Sequence, residues 1–523
     1  TCVGDVDISR ASGTILVMPN GQRAKVRTFV VVRDLGPEHS LGVFNNNIRT
    51  VERALCERYL MCQTSIGFEP PLFVRPRTYL NNSVLQIFRQ SVVRACLGAP
   101  IVSLPTVVAA YVGAKRARYQ AALESLAKLP LSVRDAFLTS FVKFEKQDLR
   151  KAPRIINPRS YRYNLVLGKY LKFLEKHVYR AINETFNSCT AHTVIKGLNA
   201  RDVGAIALQK WERFVDPVAV GLDATKFDMH TSVPALKFEH SFYTSIFPRS
   251  PELRRILSWQ LTNKGVAYCD DGRVKFKIQG TRSSGDLNTS LGNCIIMCSL
   301  IYAYSKEVGV EVELMNNGDD CQVIMEGKDL NRYCSRVEKW FEVYGYRMQV
   351  EPPAYEFEQL EFCQARPVIV DGAPIMVRNV RACLRKDPMC LVPVQSVQVL
   401  GYWLRAVGEC GLSITKGVPI LQSFYNLFYR SGRDYSEGFL RELVKNTSHM
   451  ERIGGVLSAE VRAISASTRA SFFYAFGVSP AHQIALESVF DGMSIDDDIE
   501  LMLHEEAAVD KGRSCAPPLV EWM

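Results

Sequence analysis

The feature that most constrains this chain is a turn carrying two adjacent carboxylates between two apolar runs. Glu311–Met315 and Cys321–Met325 flank Asn316-Asn317-Gly318-Asp319-Asp320. Val312 and Leu314 before the turn, and Val323, Ile324 and Met325 after it, predict a hairpin with apolar strands. Gly and Asp both tolerate positive φ, so Gly-Asp-Asp by itself is an ordinary turn. Two like charges at the tip of an apolar hairpin nevertheless repel and cost stability unless a cation binds there. Val218-Ala219-Val220-Gly221-Leu222 reads as a buried strand running into Asp223. Packed beside the hairpin, it would bring a third carboxylate to the same edge. Oxygen ligands of that kind suit Mg²⁺ or Mn²⁺.

The chain has 523 residues, which suggests three to four domain-sized lobes. Hydrophobic residues make up 47% and charged residues 23%, which excludes disorder throughout, collagen and a small disulfide scaffold. Fifteen cysteines are scattered without a C-x-x-C pair, and Cys294 and Cys298 lie at helical spacing in an apolar run. A structural zinc site is therefore disfavoured and reduced thiols are the simpler reading. The longest candidate for a membrane span, Ile101 to Val112, is short and contains Pro105, and no signal peptide is legible. A chain that opens on Thr1 fits a piece of a longer product that is soluble as given. The net charge of +10 makes a polyanion a reasonable partner.

Along the chain, Thr14–Met18 and Lys25–Val32 flank Pro19-Asn20-Gly21 and predict an N-terminal hairpin. Residues 82–129 turn helical, with a loop near Pro100–Pro105. Residues 143–180 hold eleven Lys or Arg interleaved with four tyrosines, and Pro153 and Pro158 keep the first half extended. Leu291–Tyr304 and Asp329–Tyr344 read as helices, and the chain from about Pro367 as mostly helical. In the last 33 residues nine acidic side chains face only Lys511 and Arg513. That tail reads either as a solvated end or as a plug folding back on a basic groove.

Three segments carry the chemistry in this order: Asp223-Ala224-Thr225-Lys226-Phe227-Asp228, Ser284-Gly285-Asp286-Leu287-Asn288-Thr289-Ser290-Leu291-Gly292-Asn293, and Gly318-Asp319-Asp320. Two divalent ions about 3.5–4 Å apart can activate a hydroxyl and stabilise the leaving oxygen of an in-line phosphoryl displacement. Nucleotidyl transfer needs that geometry plus cations for a triphosphate, which the basic stretch could supply. The ordered set resembles motifs A, B and C of a viral RNA-dependent RNA polymerase. Lys143-Phe144-Glu145-Lys146, Pro153-Arg154-Ile155-Ile156-Asn157-Pro158-Arg159, Leu167-Gly168-Lys169-Tyr170-Leu171 and Glu361-Phe362-Cys363-Gln364 resemble the tombusvirus-like plant virus replicases. The resemblance covers roughly residues 110 to 365.

It implies an α+β right-hand polymerase. Closed fingers, a palm made of an antiparallel sheet flanked by helices, and a mostly helical thumb prime RNA synthesis without a protein primer. The implied boundaries are fingers 1–190, palm 191–228, a fingers insertion 229–282, palm again 283–366, and thumb with acidic tail 367–523. Asp223 and Asp319 become the main ligands of two Mg²⁺ ions, which Mn²⁺ can replace, with Asp320 a weaker or outer ligand. Asp228 would orient the ribose-sensing Ser284, Thr289 and Asn293, since hydrogen bonds to a 2′-hydroxyl separate RNA from DNA precursors. Lys143, Lys146, Lys151, Arg154 and Arg159 match the nucleotide-path motif, the two arginines being the better triphosphate contacts. Gly285, Lys146, Lys115 and Arg116 are the template-side candidates, the last two from an aromatic-and-basic patch over Tyr111–Tyr119. Cys363 lies in the hairpin that supports the priming end and is packed rather than reactive.

One departure is that many relatives place a lysine where Gly345-Tyr346-Arg347-Met348-Gln349 has Arg347, a poor proton donor at neutral pH; Lys339 lies on the preceding helix. The implied partners are template and product RNA, nucleoside triphosphates, an auxiliary viral replicase protein and host factors. The implied location is host cytoplasm, on intracellular membranes reached through a segment or partner outside this chain. Two alternatives stay open: a reverse transcriptase, which typically has an aromatic residue where this chain has Asn316-Asn317, and a non-catalytic RNA-binding scaffold on a decayed polymerase.

Overall fold

The computed structural model describes residues 13–32, 35, 41–63, 68–69, 77–394, 396–436, 438 and 457–495. The acidic tail from residue 496 onward, with both readings of it, lies outside the described residues. The fold mixes helices and sheets. At its centre is a four-stranded antiparallel sheet in the order Glu313–Asn317, Asp320–Glu326, Pro217–Ala224, Met348–Val350. Its strands are apolar on both faces, as buried strands must be. Val218, Val220, Leu222, Val323 and Met325 enter one core, with the helix Thr289–Val308. Their alternates Ala219, Ile324 and Met315 enter a second, with Trp211 and Phe357. The helix Thr289–Val308 is apolar all round and accordingly buried. It ends where Gly309 adopts φ +65°, closing the last turn in the left-handed region.

A second sheet has the order Gly13–Pro19, Gly272–Gln279, Thr262–Cys269, Leu138–Val142, Ile155–Ile156. Alternation sends Ile15, Leu138, Ala267, Val274, Phe276 and Ile278 into a core shared with the helix Ile48–Leu55. The expected N-terminal hairpin does not form. Gly13–Pro19 pairs with Gly272–Gln279, and Asn20 caps the hairpin tip, its side-chain amide donating to Asp270 O and its backbone N–H to Asp271 O. The returning run pairs elsewhere: Val30–Val31 joins Met389–Cys390, a two-stranded link to the C-terminal part. Both partners are long-range, so a local turn signal misassigned them.

The C-terminal part is less helical at its start than expected. A hairpin, Ala365–Val370 with Ala373–Arg378, precedes the helices Val380–Lys386, Val397–Thr415, Leu421–Ser431, Ala466–Phe476 and Pro480–Gly492. Val397–Thr415 and Leu421–Ser431 cross at glycines. A Cβ on Gly408 would lie 2.3 Å from the Tyr429 backbone nitrogen, and one on Gly411 would lie 2.2 Å from the Tyr425 ring. The expected helices between residues 82 and 129 form as Ser83–Ala95, Leu104–Ala109 and Gly113–Lys128, with Pro105 in the first turn of the second. No helix among the described residues is long and apolar enough to cross a membrane. Among the described residues the cysteines from Cys56 to Cys410, Cys62 apart, are free thiols.

Candidate active site

The site lies at the open end of the four-stranded sheet. Cys321 pairs with Leu222 and Asn317 with Asp320, so the ladder brings Asp320 beside Asp223 with Asp319 at the turn. On its other side Asp223 faces Gln349. Successive strand residues alternate faces, so Asp223, Asp320 and Gln322 share the face of the second core. All three aspartates are exposed to solvent at the sheet end. The surrounding protein still strips part of their water and raises the Asp319 and Asp320 carboxyls. The Asp223 charge adds to the rise at Asp319, and the Asp319 charge to that at Asp320.

A short bridging segment supplies the counter-charge. Thr193 to Lys196 runs alongside the hairpin: the Ile195 amide donates to Asn316 O (2.7 Å) and the Asn316 amide to Thr193 O (2.9 Å). Lys196 Nζ consequently reaches Asn317 Oδ1, and its charge opposes the rise at both aspartates. The sequence reading missed Lys196, whose signal was only one cation between Val194-Ile195 and Gly197. It missed Glu351 too. Glu351 lies over Gly221, where a Cβ would sit 1.8 Å from its Oε2. Its carboxyl is raised by partial burial and by Glu361, Asp223 and Asp320. Cys363, at φ +52°, places its thiol 3.6 Å from Asp320 Oδ2 and accepts from Asn317 Nδ2 at 3.2 Å; burial first, then the Asp320 charge, push it up to about 12.

On the other side of the sheet, Asn293 Nδ2 donates to Asp228 Oδ1 at 3.0 Å. Burial pushes the Asp228 carboxyl up to about 6. Asn293 Oδ1 and Ser283 Oγ are buried and have no partner among the described residues. The expected tie from Asp228 to Ser284 and Thr289 is absent. Thr289 Oγ1 donates to Ser283 O (3.0 Å), while Ser284 is held through its backbone by Tyr59 Oη and the Asn157 amide. Gly285, at φ +123°, sits against the Asn157–Pro158 backbone, 3.1 Å from where a Cβ would be.

The basic stretch divides into exposed and committed cations. Lys143 and Arg154 both pair with Glu145, at 2.6 and 3.3 Å, and Lys151, between them in sequence, is exposed. Arg159 is a correction. Its guanidinium is buried, the residue being 4% exposed, and it spends four of its five N–H groups on Asp286, Asn263 Oδ1 and Ala136 O, so it is not presented to a triphosphate. Lys146 is another, since its amine donates to Lys386 O (2.6 Å) and burial pulls it down to about 8. Its amine is thus committed within the protein, although the residue also lines the cavity beside the sheet end. In the Tyr111–Tyr119 patch the rings stack on each other at 4.4 Å and are buried, so they offer no free face to a base. Lys115 lies over Tyr111, and Arg116 remains exposed. Beside the sheet end opens a cavity of about 1420 Å³ lined by Phe141, Lys143, Lys196, Asn317, Cys363 and Arg378, among others.

The likeness to known proteins runs through this site and beyond it. The chain is 38% identical over 502 residues to the RNA-directed RNA polymerase of Tobacco necrosis virus (strain A), covering 93% of this chain and 67% of that protein. It is 41% identical over 394 residues to the RNA-directed RNA polymerase of Cucumber necrosis virus, covering 74% and 47%. For that of Turnip crinkle virus the figures are 36% over 499 residues, 94% and 63%. This chain thus spans between about half and two thirds of the length of these relatives. Residues 15–498 match the family described as viral RNA dependent RNA polymerase. With that match running through both sheets, the carboxylate turn and the C-terminal helices, the chain belongs to the viral RNA-dependent RNA polymerase family.

Proposed function

We propose that this chain is the catalytic part of a plant-virus replicase. It would join nucleoside triphosphates on an RNA template by attack of a 3′-hydroxyl on the α-phosphate, releasing pyrophosphate. The observation that carries this is the convergence of Asp223, Asp319 and Asp320 from separate segments onto one sheet end beside a large cavity. The raised Asp319 and Asp320 carboxyls and their mutual repulsion suit a divalent cation, with Asp223 and Asp319 as main ligands and Asp320 as an outer one. Mg²⁺, or Mn²⁺ in its place, would supply charge neutralisation and hydroxyl activation there. Among the described residues no three side chains close on an ion alone, so water and triphosphate oxygens would complete the shell. Asn293, held by Asp228 and with Oδ1 unpartnered, would accept from a ribose 2′-hydroxyl. Lys143, Lys151 and Arg154 would guide the triphosphate, and Gly285, Lys115 and Arg116 the template.

The hand-like division follows as part of the same proposal. Thr262–Cys269 and Gly272–Gln279, from within 229–282, enter the same sheet as strands from 13–19, 138–142 and 155–156, which suits one fingers unit. The palm would be the four-stranded sheet, and the thumb the part after residue 366. Attachment to host intracellular membranes would pass through an auxiliary replicase protein, host factors, or a segment outside the described residues.

Primer-free extension of a short template with Mg²⁺ or Mn²⁺ tests the reading. Wild-type protein should make full-length product, and Asp319→Asn should lose at least about a thousandfold in incorporation while still binding RNA. Template bound by wild-type protein without product under either ion would make it a scaffold. Competition by deoxynucleotides as effective as by ribonucleotides would favour a reverse transcriptase.

A further inference from the structure

The five-stranded sheet has a second face that the active site leaves unused. Alternation turns Val274, Phe276 and Ala267 inward, so Arg273, Lys275, Lys277, Lys264 and Tyr268 stand outward and exposed. The register sets Lys264 directly opposite Lys277, Tyr268 opposite Arg273, and Lys275 between Leu16 and Val266. No outward position on these strands is acidic, and none of the four cations forms an ion pair within the described residues. The nearby Asp270 and Asp271 sit at the hairpin tip, where they accept the backbone N–H groups of Lys25 and Ile48. Like charges directly opposite destabilise a sheet, and a bound polyanion would remove that cost.

The same face presents rings. Tyr268 is 64% exposed, Phe137 43% and Phe141 42%. Phe137 borders a cleft of about 380 Å³ whose walls include Trp259, Lys264 and Lys277. At the other end Phe141 borders the large cavity that reaches Lys196 and Asn317. The inward neighbour of Lys264 is Asn263, tied to Arg159 and to the Gly280 and Thr281 carbonyls. Lys264 therefore projects from the opposite side of its strand to that network.

We propose that this face binds a single strand of RNA. The phosphates lie along Lys264, Lys277, Lys275 and Arg273, bases stack on Tyr268 and in the Phe137–Trp259 cleft, and the strand continues past Phe141 into the cavity. A duplex would hide its base faces and leave the rings unused, whereas single strands combine a cationic track with aromatic stacking. An anionic membrane fits less well, because the rings are spread among the cations and one borders a recess. The choice of RNA over DNA rests on the polymerase reading; the single-strand chemistry does not.

The test is fluorescence anisotropy with a labelled unstructured RNA of about 30 nucleotides, without nucleoside triphosphates, across a salt series. Lys264→Ser/Lys277→Ser should bind on the order of tenfold more weakly and flatten the log K against log salt slope by about 1.4, two single-strand contacts' worth. Tyr268→Ser should weaken binding on the order of tenfold with the slope unchanged. Melting midpoints at or above wild type for the lysine variant exclude misfolding, and Lys275→Ser provides an independent variant. Affinity and slope unchanged in all variants would overturn the proposal, and so would a duplex of equal length competing as well as the single strand. Loss of binding to phosphatidylserine vesicles with RNA affinity intact would make the face a membrane contact instead. Asp319→Asn should bind like wild type here, so failure of the catalytic reading and failure of this one are read separately.

Discussion

Asp228 combines a functional and an energetic role in one side chain. Burial holds its carboxyl up to about 6, above the usual carboxylate value. Between about pH 4 and 6 the folded chain therefore keeps a proton that the unfolded chain releases, and stability falls as pH rises through that window. Asp228→Asn should remove this slope and gain roughly 1–3 kcal/mol at neutral pH in denaturant titrations without divalent ions. The same substitution should erode preference for ribonucleotides over deoxynucleotides by about tenfold or more, because a neutral amide accepts from Asn293 Nδ2 more weakly than the carboxylate does and can turn its own NH2 toward it. The order of Asp223, Asn293 and Asp319 was legible because spacing alone carries it. Arg159 was not: a cation in a basic run reads the same whether it meets solvent or a buried Asp286. Lys196 was not legible either, since its place depends on a parallel pairing of Val194 with Asn316 that no local pattern announces.

At the scale of elements, the glycines of the C-terminal helices set the packing distance. The nearest atoms to a Cβ on Gly408 are the Tyr429 backbone nitrogen and Cα, at 2.3 and 2.5 Å, which cannot rotate away. Gly408→Ala should thus cost about 1–3 kcal/mol, seen as a lowered melting midpoint in calorimetry. Gly221→Ala is a contrast: the atoms it meets belong to the Glu351 and Gln322 side chains, which can swing aside. Its thermal cost should be smaller than that of Gly408→Ala in the same measurement. Elements with a strong period were legible from sequence: the helix read at Leu291–Tyr304 spans Thr289–Val308, and the carboxylate hairpin forms as expected. The N-terminal hairpin was misread because a turn signal says nothing about distant competitors. Gly13–Pro19 matches the alternation of Gly272–Gln279 along seven residue pairs.

Over the whole molecule, an N-terminal segment is stitched to one that follows it by more than 350 residues. Val30–Val31 pairs with Met389–Cys390, the Val32 amide donates to Pro388 O at 2.9 Å, and Lys146 holds Lys386 O. Val32→Pro should remove one of these bonds, raising hydrogen exchange at residues 30–31 and 389–390 while leaving the four-stranded sheet protected. The mixed sheet-and-helix character was legible from the alternation of apolar runs; this closure was not, because two-residue strands carry no period. It also has a bearing on biosynthesis. During translation the segment around Val31 waits for a strand made roughly 360 positions later, so this closure cannot form on the ribosome until residue 390 has emerged. A nascent or truncated product ending before residue 389 could contain every carboxylate of the centre and still lack the brace that holds its two halves in register.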